Sequence, residues 1–538
     1  MRADQPADDG RSRGLGTMLR IVARIQRCSA LIWALALGAS MLGTAASVAS
    51  LYDTPAKIHT YAAAVTTGNA LAAINGKVEG IDSLGGVIQD EFGFLIAFLM
   101  PLLAISLVAR ATRGEEESGR LELLLGGRIA RQQPTVAALL VANAAILSTA
   151  ALFAVGLAVF GVPLLGAVLY ALSLAALGFV FTGLAALLAQ LTPHPRGVYT
   201  WSLIILAGSF ALRGIGDVTN TWVTGLSPLG WAEKAAPFGD QRWWALIIPL
   251  AVGLILCAAA ALLASRRDLG SALVRRGAGP QRATARLRNP IGFALWIHRP
   301  AILGWLAGGV LLAGLMGALS HQFLDAMAGN PAVAKAIGIG IGGGRPVDGL
   351  IAATQLYLAV IAAGYFVQAI STLRTEESNG RLETRLSGTL SRPRWLAAHC
   401  VVLLGGLMTI VLGSSLVLGL STALSAGNTA EFGPTLTSGL AYLPAELVLG
   451  GIALLVYGMR PRLFAITWAG YAAMTFIAFL GPGLKFSQWV LDLSPTTHVG
   501  NPPMGAVHAG ALIVMSAAAA VLIAAGFVAF RRRGVPQS

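Results

Sequence analysis

Two short stretches of this sequence are dense in charged side chains, and each is a copy of the other. The first is Arg113-Gly-Glu-Glu-Glu-Ser-Gly-Arg-Leu-Glu122 and the second is Arg374-Thr-Glu-Glu-Ser-Asn-Gly-Arg-Leu-Glu383. Glutamates and arginines so arranged bind charged partners. Glu116 to Arg120, and Glu377 to Arg381, have the Glu-before-Arg i,i+4 order that pairs on one helix face. In register, Glu116 falls on Glu377, Leu125 on Leu386, Ile129 on Leu390 and Arg131 on Arg392. The apolar rows Leu121/Leu125/Ile129 and Leu382/Leu386/Leu390 recur at i, i+4, i+8. They predict one amphipathic helix per copy, over about 112–132 and 373–393. A lone charge run is commonly a solvated face. Placed twice between long apolar segments, it points to a docking surface.

Other chemistry is sparse. The phosphate-cradling pattern G-x-x-x-x-G-K-[ST] does not occur, and Gly76-Lys77 lacks both the leading glycine and the hydroxyl residue. ATP hydrolysis by that route is therefore excluded for this chain alone. The seven His are scattered without H-E-x-x-H, so no metal site is expected. G-x-S-x-G is absent too, and no catalytic residue is assigned. Cys28, Cys257 and Cys400 stand far apart, in or beside apolar runs, and read as buried thiols without a disulfide framework. Glu446, two positions after Pro444, is the acidic residue placed well inside an apolar span. An ionised group there costs on the order of 2.5–3.5 kcal/mol, which makes it a functional candidate. The bland alternatives are a partner for backbone freed by Pro444, or a position nearer the interface. Asn143, Gln190 and Gln368 are expected to hydrogen-bond between helices.

The elements that must position these residues follow from composition. The chain is 56% hydrophobic and 12% charged, with a mean hydropathy of +0.72, whereas soluble domains carry about 25% charged residues. Around a dozen apolar runs of about 20 residues are long enough to cross a bilayer. They do not alternate, so a β-barrel is excluded. An all-α polytopic membrane protein with 12 transmembrane helices is predicted. The net charge of +14 reflects topology rather than nucleic acid. With alternating spans, roughly 30 of the 38 Lys+Arg fall on the cytoplasmic side, which puts both termini there, against anionic lipid.

Residues 1–13 read as a disordered tail. Over 14–27, Leu15, Met18, Val22 and Ile25 alternate with Arg20, Arg24 and Arg27, predicting a basic elbow helix lying on the membrane surface. The first span follows over about 28–50. Small residues near Ser47 and Ala49 resemble a signal-peptidase site, but the apolar run before them is too long. Spans two to six end at Arg266-Arg267, after an outside loop with Trp222, Trp231, Trp243 and Trp244 as an aromatic belt. Residues 268–290 form a basic linker containing Arg275, Arg276 and Arg282. The pattern then restarts over 291–533, before a tail at 534–538. Gly304 and Gly308 in the seventh span have the small-xxx-small spacing for close helix packing. Gly68-Asn69 matches Gly329-Asn330, Pro195-Arg196 matches Pro461-Arg462, and Leu226-Ser227-Pro228 matches Leu493-Ser494-Pro495. Residues 14–267 and 291–533 thus read as two parallel six-helix repeats, related by an axis along the membrane normal.

The duplicated EE-x-x-GRLE island after the second span, the amphipathic lead-in helix and the six-plus-six layout resemble the permease subunits of type-2 ABC exporters. The likeness is closest to fused two-repeat actinobacterial exporters of polyketide antibiotics, the tetronasin-transport type, and covers nearly the full length. It implies an efflux permease in the cytoplasmic membrane that works with a separate nucleotide-binding ATPase. It also implies two ATPase copies that carry ATP and Mg, no cofactor on this chain, and a hydrophobic small-molecule substrate. Coupling to the ATPase would then fall on Glu115, Glu116, Glu117, Gly119, Arg120 and Glu122, and on Glu376, Glu377, Gly380, Arg381 and Glu383. Where the first copy has three consecutive acids, the second has two followed by Ser378, so the two docking sites need not be equal. A proton-coupled drug transporter of two six-helix halves is the rival reading. It requires titratable groups within the membrane, for which Glu446 is the main candidate. A membrane enzyme acting on lipids has no catalytic constellation behind it.

Overall fold

The computed structural model describes residues 8–66, 75–125, 129–268, 284–318, 320–321, 346–427, 429–482 and 486–534. Gly68, Asn69, Arg275, Arg276, Arg282, Gly329 and Asn330 lie outside the described residues, as do residues 1–7 and 535–538. The described chain is helical and has 12 helices long and apolar enough to cross a membrane. It divides into two compact units, Met1–Gly279 and Pro280–Ser538.

The first unit contains α1 (Asp8–Leu51), α2 (Leu84–Ala109), α3 (Gln133–Val159), α4 (Leu164–Leu191), α5 (Pro195–Thr219) and α6 (Ile247–Arg266). Two corrections to the sequence reading fall on α1. It is continuous, so Asp8–Arg13 is helical rather than disordered, and the elbow is not a separate element. The face assigned to lipid, with Leu15, Met18 and Val22, instead packs on Ala111, Ile129, Ala137 and Ala138. Gln26 donates to the Leu107 carbonyl at 3.2 Å. Protein, not bilayer, takes the apolar stripe. Ser83 caps α2 by accepting from the Gly86 amide.

The second unit contains α7 (Pro290–Ala318), α8 (Pro346–Ser378), α9 (Arg392–Ala426), α10 (Leu443–Met459), α11 (Ala465–Leu480) and α12 (Ala509–Arg532). In hydrocarbon, helices gain little from burying apolar surface, and close approach over small residues does the work. A Cβ added to Gly458 would stand 2.4 Å from the Gly526 carbonyl oxygen, so α10 and α12 meet backbone to backbone. On α7 the packing row is Gly309, Ala313 and Gly317, against Ser414 and Ser421 of α9. Gly304 and Gly308 face open space, so the spacing identified the right helix and the wrong face.

Among the expected interhelical bonds, Gln368 accepts from Trp305 Nε1. Asn143 and Gln190 instead donate to Leu139 and Ala186 on their own helices. Cys28 is exposed rather than buried. Trp222, Trp243 and Trp244 are exposed, as an interfacial belt requires.

Candidate functional site

Neither charged island forms the single short amphipathic helix predicted. The helix of α2 widens into a π-helical turn over Arg110–Gly114, runs on through Glu115–Glu117 and stops; a separate short helix covers Arg120–Leu125. In the second unit α8 runs unbroken to Ser378, and the short helix is Arg381–Leu386. Both breaks have one cause. Gly119 has φ +73° and Gly380 φ +70°, the left-handed conformation that ends helices and that only glycine adopts without strain. A Cβ on Gly119 would meet nothing within 4 Å, so backbone conformation and not space demands glycine there. Gly119→Ala and Gly380→Ala are each expected to lower stability by about 1–2 kcal/mol, read by thermal unfolding in detergent. Unchanged unfolding would show that the bends are not required.

The break re-pairs the charges. Arg120 reaches Glu115, with Nε to Oε2 at 2.7 Å and Nη2 to Oε1 at 2.8 Å, rather than Glu116. Arg381 likewise donates to Glu376 at 2.9 Å rather than to Glu377. The i,i+4 pairing expected from a continuous helix is therefore wrong in both copies, because the glycine bend redirects the arginine. Arg120 and Arg381 remain 61% and 49% exposed. Their guanidiniums project from the surface with Glu117 and Glu122.

Glu116 and Glu377 do something else. Glu116, 8% exposed, accepts from Arg113 Nη1 at 3.0 Å and from Arg267 Nη2 at 2.9 Å. Glu377, 7% exposed, accepts a two-pronged grip from Arg533, Nη1 to Oε1 at 2.6 Å and Nη2 to Oε2 at 2.8 Å. Arg267 and Arg533 are the residues that cap α6 and α12. In each unit, then, the end of the second span is tied to the end of the last span by one buried ion pair. The start of the third span joins the same knot. Arg131 donates to Asp268 at 2.8 Å, and its counterpart Arg392 donates to the Arg533 carbonyl at 3.0 Å. Burial works against the Arg533 charge, but the hydrogen bonds to Glu377, the Glu377 charge and Tyr457 together outweigh it and raise its pKa.

Sequence reasoning missed Arg267 and Arg533. The available signal was positional, since each arginine directly follows the last apolar run of its half. Of the residues predicted to dock a partner, Glu117, Arg120, Glu122 and Arg381 face outward, and Glu383 is half-buried. Glu116, Glu376 and Glu377 are engaged within their own unit.

Glu446 lies apart from both islands. The helix expected over 436–458 breaks at Tyr442, and Glu446 falls in the first turn of α10, fully buried. Its Oε2 has no hydrogen-bond partner among the described residues.

The chain matches the protein family described as "Multidrug efflux system permease Rv1217c, C-terminal domain" over residues 15–264 and 287–531. It is also similar to the "Multidrug efflux system permease protein Rv1217c" of Mycobacterium tuberculosis (strain ATCC 25618 / H37Rv). That relative is 33% identical over 520 residues, covering 96% of this chain and 94% of the relative.

Proposed function

We propose a function from one premise: this chain belongs to the family of multidrug efflux system permeases described by Rv1217c. It is a multi-pass membrane permease of a multidrug efflux system. Beyond that, we read it as the membrane subunit of an ATP-driven ABC exporter of hydrophobic compounds, polyketide antibiotics among them. ATP and Mg would sit on a separate ATPase, two copies per permease, beneath two parallel six-helix repeats with cytoplasmic termini.

One observation carries this reading: the same knot is built in both units. Each ties the island to the end of the last span and leaves a short helix projecting charge outward. A load applied to Arg120–Leu125 or Arg381–Leu386 reaches the second, third and last spans of that unit together. Differential affinity of the substrate for the two resulting states would move it across the membrane. The two matched stretches, 15–264 and 287–531, are of nearly equal length and support a duplicated architecture.

Purification of the tagged chain from its native membrane in mild detergent tests this. An ATPase chain in twofold excess over the permease is expected. A permease that purifies without any ATPase, yet keeps drug-dependent transport on reconstitution, would overturn the proposal.

A further inference from the structure

The second unit contains a cavity of about 310 Å³ that the coupling reading does not use. It opens at the end of the unit that bears the island, between the start of α7, the short helix Arg381–Leu386 and the start of α9. Arg288, Arg385, Arg394 and Thr389 line it, with Phe293 and His399. The volume falls in the range of small-molecule sites, about 300–1,000 Å³.

Three arginines line one cavity, and none has a carboxylate within ion-pair distance among the described residues, although the Glu376 charge acts on Arg385 at longer range. Arg385 is held in place by the Phe293 ring, with its Cζ 3.3 Å from the ring centroid. The back of the cavity is equally fixed. His399 contacts His298 at 3.0 Å between ring nitrogens, and its ring centre lies 4.6 Å from that of Trp395. Arginines clustered around a recess recognise phosphate, whose oxygens match their paired donors.

The surroundings add a second requirement. Trp296, whose ring centre lies 5.8 Å from that of the cavity-lining Phe293, is an exposed apolar side chain at the start of a membrane-spanning helix. A ligand that satisfies both features has an anionic phosphate head and an apolar tail. We propose that this cavity binds the phosphate of an anionic phospholipid, with an acyl chain lying along Trp296. Two of its three arginines have no counterpart in the first unit. At the spacing that aligns the islands, Arg385 and Arg394 correspond to Leu124 and Gln133. A general feature of the coupling islands would have kept the arginines in both. The inference does not depend on the presence of an ATPase.

Native mass spectrometry of the detergent-purified full chain tests it, with phosphatidylglycerol and phosphatidylcholine of identical acyl chains as probes. Phosphatidylglycerol is expected to bind at least tenfold more tightly. Arg385→Gln/Arg394→Gln should remove that preference, while Arg20→Gln, at an exposed arginine of the first unit, should not. Inorganic phosphate at millimolar concentration should compete poorly, because it lacks the tail. If the double variant fails to fold, Arg288→Gln at the exposed rim should still weaken phosphatidylglycerol several-fold. Equal binding of the two lipids, or full binding by the folded arginine variants, overturns the proposal. So does efficient competition by phosphate, which would mark a soluble-anion site. Loss of the ATPase from the variants without any change in lipid binding would assign these arginines to an acidic partner surface, and would overturn it as well.

Discussion

Arg533→Gln is expected to destabilise the second unit by about 3–5 kcal/mol, the cost of leaving one member of a buried ion pair uncompensated. Arg267→Gln should cost less, because Glu116 keeps Arg113 as a partner, whereas the grip on Glu377 comes from Arg533 through both carboxylate oxygens. Glu377→Gln should resemble Arg533→Gln. The double variant Glu377→Gln/Arg533→Gln should recover most of the loss, since exchanging a whole buried pair for neutral groups is often nearly neutral. Thermal unfolding of the purified chain measures each step. Singles that unfold as the parent does would mean the clasp contributes nothing. A double no better than the singles would mean the cost arises from packing around Tyr457 and Phe530, whose rings lie near Arg533.

The second large effect concerns coupling and calls for different residues. Glu122 and Glu383 occupy equivalent places in the first turns of the two short helices. If each makes a charge-assisted hydrogen bond to the ATPase, it is worth roughly 1.5–3 kcal/mol, and reversal also opposes like charges. Loss at both sites is then large beside an allosteric coupling of about 1–3 kcal/mol. Glu122→Arg/Glu383→Arg is therefore expected to lose substrate-stimulated ATPase activity and drug export. As partners of solvated faces these glutamates would be worth about 0.3–0.5 kcal/mol each, and reversal would be silent. Wild-type stimulation in the double variant, at equal expression, would place coupling elsewhere. Reversing Glu116 and Glu377 cannot make this distinction, because both are buried in intramolecular pairs and their loss would disturb folding first.

Much of the architecture was legible in the sequence because the bilayer imposes a length and polarity on every span, and a run of about 20 apolar residues satisfies few alternatives. Helix faces and charge partners were not. The spacing of Gly304 and Gly308 is as good as that of Gly309 and Gly317, and only the rotation of α7 against α9 selects the second pair. The stripe on α1 reads equally as lipid-facing or protein-facing until Ala137 and Ala138 are seen against it. In the islands a local rule failed for a local reason. The i,i+4 register assumes a continuous helix, and the left-handed glycine in GRLE interrupts it. The partners that Glu116 and Glu377 do have, Arg267 and Arg533, lie 151 and 156 residues away, beyond the reach of any periodicity.

Vesicles reconstituted from the proposed complex with an ATPase test the central claim most directly. Uptake of a fluorescent hydrophobic drug is followed in everted vesicles with ATP and Mg, with a non-hydrolysable ATP analogue, or with a proton gradient alone. Accumulation that requires hydrolysable ATP, and that survives collapse of the gradient by an uncoupler, is the predicted result. Accumulation driven by the proton gradient in vesicles that contain this chain without an ATPase would contradict it.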